Sequence, residues 1–337
     1  MSAQVPQAAA ISAQCNQIVV TKPLKKNDMA GSVPSVSICI PNYNYCRYLK
    51  YALDSALAQS WKDIEVLVVD DRSEDDSVTL VEEYTKRDER VVLHKNPKRL
   101  GLTRNFNQCL RLARGNYVKF LCADDVLAEQ CVERMVVAIE AEPEAKLVAC
   151  RRYFFNDDKR IIGERGYGRK DQVVSGQRAI HKCFFSGNLV GEPTAVLFRK
   201  ADVVAGFDEN YYQALDMELW FRLLESGSLV FLADTLCGVR EHDTRGTANN
   251  LRAGKITADK VRLFEQYANR RYLEGTIVER VSWDARMASS VTREAAAGAG
   301  ESAKAAKEAF YFPRFSSSVL IPFSSVLTKI RRRTGII

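Results

Sequence analysis

Between Val36 and Leu121 short apolar runs alternate with stretches of helical spacing. Val36 to Ile40 is a β-rich run stopped by Pro41, and after it Leu49, Ala52, Leu53, Ala56 and Leu57 recur at the spacing of one helix face. Asp63 to Val69 predicts a second buried strand ending at Asp70 and Asp71, with Asp75 or Asp76 placed to cap a helix that carries Val78, Val81 and Tyr84 on one side. A short strand at Val91 to His94 and a loop from Lys95 to Gly101 lead to a third helix. Its stripe is Leu102, Phe106, Cys109, Leu110 and Ala113, and Gly115 is expected to close it. Val118, Phe120, Leu121 and Cys122 then read as a strand that ends at Asp124 and Asp125. Strand and helix alternating through short connections predict an α/β fold: an open, mostly parallel sheet with helices on both faces.

Past residue 126 the pattern loosens. A helix is expected near Ala128 to Glu140, strands near Leu147 to Phe155 and Thr194 to Arg199, and a loop-rich interval over 156–190 that could shape an acceptor pocket. Asp216 to Ser226 reads as a helix with Met217, Trp220, Leu223 and Leu224 facing inward, and Val230 to Leu232 as a strand before the polar run 238–250, which holds His242. Residues 252–312 look helical and strongly charged, and Ser318 to Ile337 places Leu320, Phe323, Leu327 and Ile330 roughly on one face ahead of Arg331, Arg332 and Arg333. Residues 1–33 read as a disordered lead-in with a brief ordered piece at Ile18 to Val20. The expected division is 1–33, an α/β domain over 34–250 and a helical C-terminal extension over 251–337 with a basic amphipathic tail.

Composition narrows the function classes. Of 337 residues 46% are hydrophobic and 27% charged, enough for a substantial core. Forty-nine basic against 42 acidic residues give +7, which suits an anionic ligand or membrane surface and does not call for nucleic acid. Nine cysteines with no CxxC pair fit a reduced, cytoplasmic setting. Without a basic start and long apolar stretch, or 18 apolar residues in a row, the chain is expected neither to use a signal peptide nor to span a membrane. There is no GxGxxG after the first strand and no GxxxxGK[ST], so a dinucleotide oxidoreductase and a P-loop enzyme lose their main support.

Three strand ends bring polar clusters to one sheet edge: Pro41, Asn42, Tyr43 and Asn44; Asp70, Asp71 and Ser73; Asp124 and Asp125. For a nucleotide, Tyr43 would offer an aromatic face and Asp71 a carboxylate for base or ribose donors; Asp71 would serve equally as a turn residue. Adjacent Asp124 and Asp125 suit a divalent cation shared with a diphosphate, and also an Asx turn or helix N-cap. Arg104, opening the third helix, could reach a phosphate or stay solvated. His242 is a competent ligand or a surface histidine. Asp216, at a helix start where the dipole would keep it ionised, is a candidate general base or an N-cap, and Glu218 points about half a turn away.

Taken together, SVSICIPNYNYCRYLKYALDSALAQSW, IEVLVVDDRSEDDS and NPKRLGLTRNFNQCLRLARGNYVKFLCADD resemble the nucleotide-sugar-binding half of family 2 glycosyltransferases with the GT-A fold. GEPTAVLFRKADVVAGFDEN, LDMELWFRLLESG and GVREHD are similar to that family's acceptor-side segments, so the likeness covers about 35–245. The resemblance implies a nucleotide-sugar-binding half over 34–126 and an acceptor-side half over 127–250. It implies inverting transfer of a sugar from a nucleotide-diphosphate donor to a hydroxyl of a saccharide or lipid-linked saccharide, in cell-surface polysaccharide or glycolipid synthesis. By the same likeness Pro41, Tyr43, Asp71, Arg104 and Asp124 hold the donor, Asp125 and His242 the cation, Mn2+ or Mg2+, and Asp216 is the base. Two positions depart from the family pattern: Cys122 stands where many relatives carry an acidic residue, and Leu215 where they carry a glutamate before the base. A catalytically silent scaffold that binds a nucleotide sugar or a partner enzyme, and a nucleotidyltransferase, are the competing readings. The basic tail suggests peripheral contact with the inner face of the cell membrane.

Overall fold

The computed structural model describes residues 34–242 and 250–298. The expected disordered lead-in, its piece at 18–20, part of the polar run at 243–249 and the basic tail 318–337 lie outside the described residues. Strands β1 (Val36–Asn42), β2 (Ile64–Asp70), β3 (Val91–Lys95) and β4 (Tyr117–Phe120) are parallel, in the order β3-β2-β1-β4. Helices α1 (Cys46–Leu57), α2 (Ser77–Arg87) and α3 (Leu102–Leu112) connect them.

β2 is buried along its length and β1 nearly so, as strands covered on both faces must be. Their side chains alternate between two cores. Ile38, Ile40, Val66 and Val68 pack with Leu49, Leu53 and Val81 on one side, while Cys39, Leu67 and Val69 pack with Phe106 and Cys109 on the other. Gly115 does not close α3 as expected: Ala113 caps the helix, and Gly115 serves a close crossing, since a Cβ there would stand 2.5 Å from the Ser37 amide nitrogen.

The rest of the sheet is mixed. It comprises β5 (Val126–Leu127), β6 (Ala145–Phe155), β7 (Ile161–Arg165), β8 (Gln172–Ser175), β9 (Val196–Arg199) and β10 (Ser228–Arg240), with α4 (Cys131–Ala141), α5 (Gly176–Ser186) and α6 (Leu215–Leu224) packed on it. The interval expected to be loop-rich therefore holds two strands and a helix. β9 lies antiparallel between β4 and β6, and β6 runs parallel to β10, so the carboxyl ends of β1, β2, β4, β6 and β10 share one edge. The expected strand at 230–232 is the start of a 13-residue strand that carries the polar run's first residues, through Arg240, inside the sheet.

α7 (Lys255–Tyr267) and α8 (Ile277–Ala296) form the described part of the helical extension. They are continuous with the domain core: Leu263, Tyr267, Trp283 and Met287 share a cluster with Phe106 and Trp220. Asp259 of α7 is fully buried, and its Oδ2 accepts the backbone N–H groups of Tyr212, Gln213 and Ala214 at 2.8, 2.5 and 2.9 Å. α7 thereby sets the turn from which α6 starts. No helix among the described residues is long and apolar enough to cross a membrane.

Candidate active site

The ends of β1 and β2 form a fixed polar lattice. Asp70 accepts from Asn42 Nδ2 at 2.8 Å and from the Ser73 backbone N–H and hydroxyl at 2.8 and 2.6 Å. Two non-glycine residues here adopt left-handed backbone, Asn44 at φ 57° and Arg72 at φ 63°. The conformation is cheap for asparagine and costs about 1–2 kcal/mol for arginine. Asn44 is locked by its own contacts, its Oδ1 accepting from Glu74 N–H at 2.7 Å and its N–H donating to Ser73 Oγ at 2.9 Å.

Asp71 is buried, with both oxygens turned onto the loop after β3. Oδ1 accepts from Asn96 Nδ2 at 3.0 Å and Leu100 N–H at 2.7 Å, and Oδ2 from Gly101 N–H at 2.8 Å. The carboxylate thus shapes the loop that brings the Arg99 guanidinium over the Tyr43 ring, 4.0 Å from its centroid. Pro41 lies in β1 opposite Val69. Arg104, instead of reaching the strand-end aspartates, is paired with Glu209 at 2.7 Å in an exposed contact.

Asp124 and Asp125 follow β4, with Cys122 close by: one donor atom from each lies within 4.8 Å of the others. The end of β10 returns to them. Arg240 N–H donates to Asp125 Oδ1 at 2.9 Å, Arg240 Nε to the Asp124 carbonyl at 3.0 Å, and His242 Nε2 meets Asp124 Oδ2 at 3.0 Å. Thr194 Oγ1 donates to Asp125 Oδ2 at 2.5 Å. Burial and the neighbouring Asp124 push the Asp125 carboxyl well above the ordinary range, and burial with the two aspartates raises the Cys122 thiol. A divalent cation would relieve that strain. Two carboxylates and an imidazole are an oxygen-rich, borderline-hard donor set that fits Mn2+ or Mg2+. His242, expected in a polar loop, has its side chain buried and its ring centroid 4.8 Å from that of Tyr48.

Asp216 lies in the first turn of α6, not at its N-cap, which is Ala214. It is buried, accepting from Met217 N–H at 2.7 Å and from Asn188 Nδ2 at 2.8 Å. The expectation that the helix dipole keeps it readily ionised is reversed: burial, then the charge of Glu192, raise its pKa to about 7. Glu218 does not compete for the role, because Arg222 holds it in a two-point ion pair at 2.9 and 2.8 Å.

One segment joins the candidate base to the aspartate pair; the sequence marks it only as part of an acceptor-side stretch and assigns its residues no role. Asn188 at its start touches Asp216 and Thr194 at its end touches Asp125. The fully buried Arg152 braces it from β6, through the Asn188 carbonyl at 2.9 Å and Glu192 at 2.5 Å. The available signals were an arginine inside an apolar strand and the polar run Gly191-Glu192-Pro193-Thr194 ahead of another.

This edge, with a parallel half that ends in carboxylates and a mixed half that carries a buried acid, belongs to the GT-A class of folds. TarS 1–349 of S. aureus, solved with UDP-GlcNAc, superposes with a TM-score of 0.54 over 84% of this chain and 94% of its own, at 16% identity. The mannosyltransferase PcManGT of Pyrobaculum calidifontis, solved with GDP-Man and Mn2+, superposes with a TM-score of 0.57 over 93% and 92%, also at 16% identity. An uncharacterized protein of Mycobacterium tuberculosis is 32% identical over 221 residues, 62% of this chain and 67% of its own. The match spans about two thirds of the length of four of the curated relatives and a fifth to somewhat over a third of four others. Residues 37–203 match the glycosyl transferase family 2 model, and the chain belongs to that family.

Proposed function

We propose that this glycosyltransferase moves a sugar from a nucleotide-diphosphate donor to a hydroxyl acceptor by a single, inverting displacement. The observation that carries the reading is Asp216: a buried carboxylate poised near neutrality, held by Asn188, on a segment whose other end holds Asp125. A base with a pKa near the working pH combines availability with proton affinity. In the proposed step Asp216 takes the acceptor hydroxyl proton as that oxygen bonds to the anomeric carbon, and the bond to the diphosphate oxygen breaks on the opposite face. Asn188 and the α6 backbone keep the carboxylate oriented, and the buried setting excludes water.

Asp124, Asp125 and His242 are the residues that would hold a divalent cation. When bound, it would offset charge on the departing nucleoside diphosphate. In this reading residues 34–126 receive the donor through Pro41, Tyr43, Asp71, Arg104 and Asp124, and 127–250 face the acceptor, a saccharide or lipid-linked saccharide of cell-surface polysaccharide or glycolipid synthesis at the cytoplasmic side of a membrane. The donor class is supported by UDP-GlcNAc on TarS and by GDP-Man with Mn2+ on PcManGT. The deciding experiment is a product assay with nucleotide sugars and manganese, resolving the anomer formed. Release of nucleoside diphosphate with an inverted glycoside is expected, and a retained anomer or release of pyrophosphate would overturn the reading.

A further inference from the structure

We infer that Glu192 holds a hydroxyl of the transferred sugar and thereby selects a neutral sugar over a uronic acid; this rests on the donor-transfer reading above. In a displacement the sugar must lie between the acid that deprotonates the acceptor and the carboxylates that face the diphosphate. Glu192 is on the segment that spans that gap, between Asn188 on Asp216 and Thr194 on Asp125.

Its placement needs no ligand. Oε2 is buried in an ion pair with Arg152 Nε at 2.5 Å, a contact without hydrogen-bond geometry, and Arg152, itself fully buried, donates to the Asn188 and Leu189 carbonyls at 2.9 and 3.3 Å. The residue before it is equally fixed. Gly191 sits at φ 129°, where a Cβ would stand 2.7 Å from Ala195 Cβ, and its carbonyl accepts from Trp220 Nε1 at 2.9 Å. Pro193 follows and removes a further degree of freedom. The other oxygen, Oε1, takes no hydrogen bond among the described residues, and 32% of the side chain stays accessible. A rigid carboxylate with one oxygen held in an ion pair and one open is an acceptor waiting for a donor.

The charge of Glu192 is felt at both Asp125 and Asp216. Hydroxyl groups, which donate without adding charge, suit such a place, whereas a sugar carboxylate would bring a further anion among three acids and be rejected by repulsion.

The test is calorimetric titration of the full chain with manganese. The probes are UDP and GDP, the neutral conjugates UDP-glucose, UDP-galactose, UDP-N-acetylglucosamine and GDP-mannose, and the uronic conjugates UDP-glucuronate and UDP-galacturonate. The intact protein is expected to bind a neutral conjugate most tightly. Glu192→Gln should weaken that conjugate by about tenfold or more, leave the bare nucleoside diphosphate unchanged and narrow the preference over uronates. If Glu192→Gln folds poorly, Glu192→Asp, which keeps the charge opposite Arg152 but withdraws it by a methylene, is read for the same ratio. Equal effects on conjugate and nucleoside diphosphate, no effect on either, or a uronate as the tightest ligand would overturn the inference. Failure of the intact protein to bind any nucleotide would instead remove the donor reading itself, and this inference with it.

Discussion

Asn188 donates its side-chain amide to the Asp216 carboxylate at 2.8 Å, although Asn188 lies in the loop after α5 and Asp216 in α6, with β9 and a long connection between them. Both carboxylate oxygens are oriented by a donor, Oδ2 by Asn188 and Oδ1 by Met217 N–H, leaving each one lone pair for a proton. Asp216→Asn, which cannot take that proton, should lower turnover about a hundredfold to ten-thousandfold while nucleotide-sugar binding persists, as steady-state kinetics with a binding titration would show. Normal turnover would sink the assignment.

Because the Asp216 pKa stands near 7, kcat/KM should rise about tenfold per pH unit below that value and level off above it. The same shift carries a stability consequence. The folded-state pKa is raised, so the stabilisation from holding the proton is fully present below the ordinary aspartate range and is lost as pH climbs through 7. Asp216→Asn should therefore gain thermal stability relative to the parent at pH 8 more than at pH 5, read from melting curves at both.

Chelation should abolish transfer and added manganese or magnesium restore it. Asp125→Ala is expected to lose the metal response. EDTA-insensitive activity of the unmodified protein would refute the metal reading. Removing the buried Asp125 carboxylate also takes the acceptor away from the Thr194 hydroxyl and the Arg240 N–H, so circular dichroism must accompany the assay.

Asp259→Ala should destabilise the protein by on the order of 3 kcal/mol, because three backbone N–H groups lose one shared buried acceptor. These groups end at Ala214, just ahead of the proposed base Asp216, so turnover is expected to fall more than donor affinity does. Urea denaturation and a kcat against KM comparison measure the two effects.

Removal of residues beyond 312 should weaken binding to vesicles of anionic lipid while leaving nucleotide-sugar binding intact, measured by sedimentation. Unchanged sedimentation would take the tail out of the membrane reading.

The first half of the fold is legible in the chain because its determinants are local. β1, β2 and β4 show in the sequence as apolar runs, and the helices between them carry stripes of regular period, so the strands can be placed from spacing, although β1 runs through Pro41 to Asn42 and β4 stops at Phe120, short of Asp124. The candidate base was also visible, as an acid at the start of an amphipathic helix. What lay between base and aspartates was not. β9 enters antiparallel, the interval 156–190 hides β7, β8 and α5 among mixed polar residues, and β10 continues into a polar stretch because it is paired with β6 along most of its length. These pairings join residues far apart in the chain, where periodicity carries no information. The sequence by itself thus determined the carboxylates and the alternation that carries them to one edge. Only the tertiary structure decided that the segment from Asn188 to Thr194 joins Asp216 to Asp125, that Asp259 fixes the turn ahead of Asp216 from a helix beyond the sheet, and that burial lifts Asp216 to near neutrality, since desolvation depends on what surrounds a residue in space and not on its neighbours in sequence.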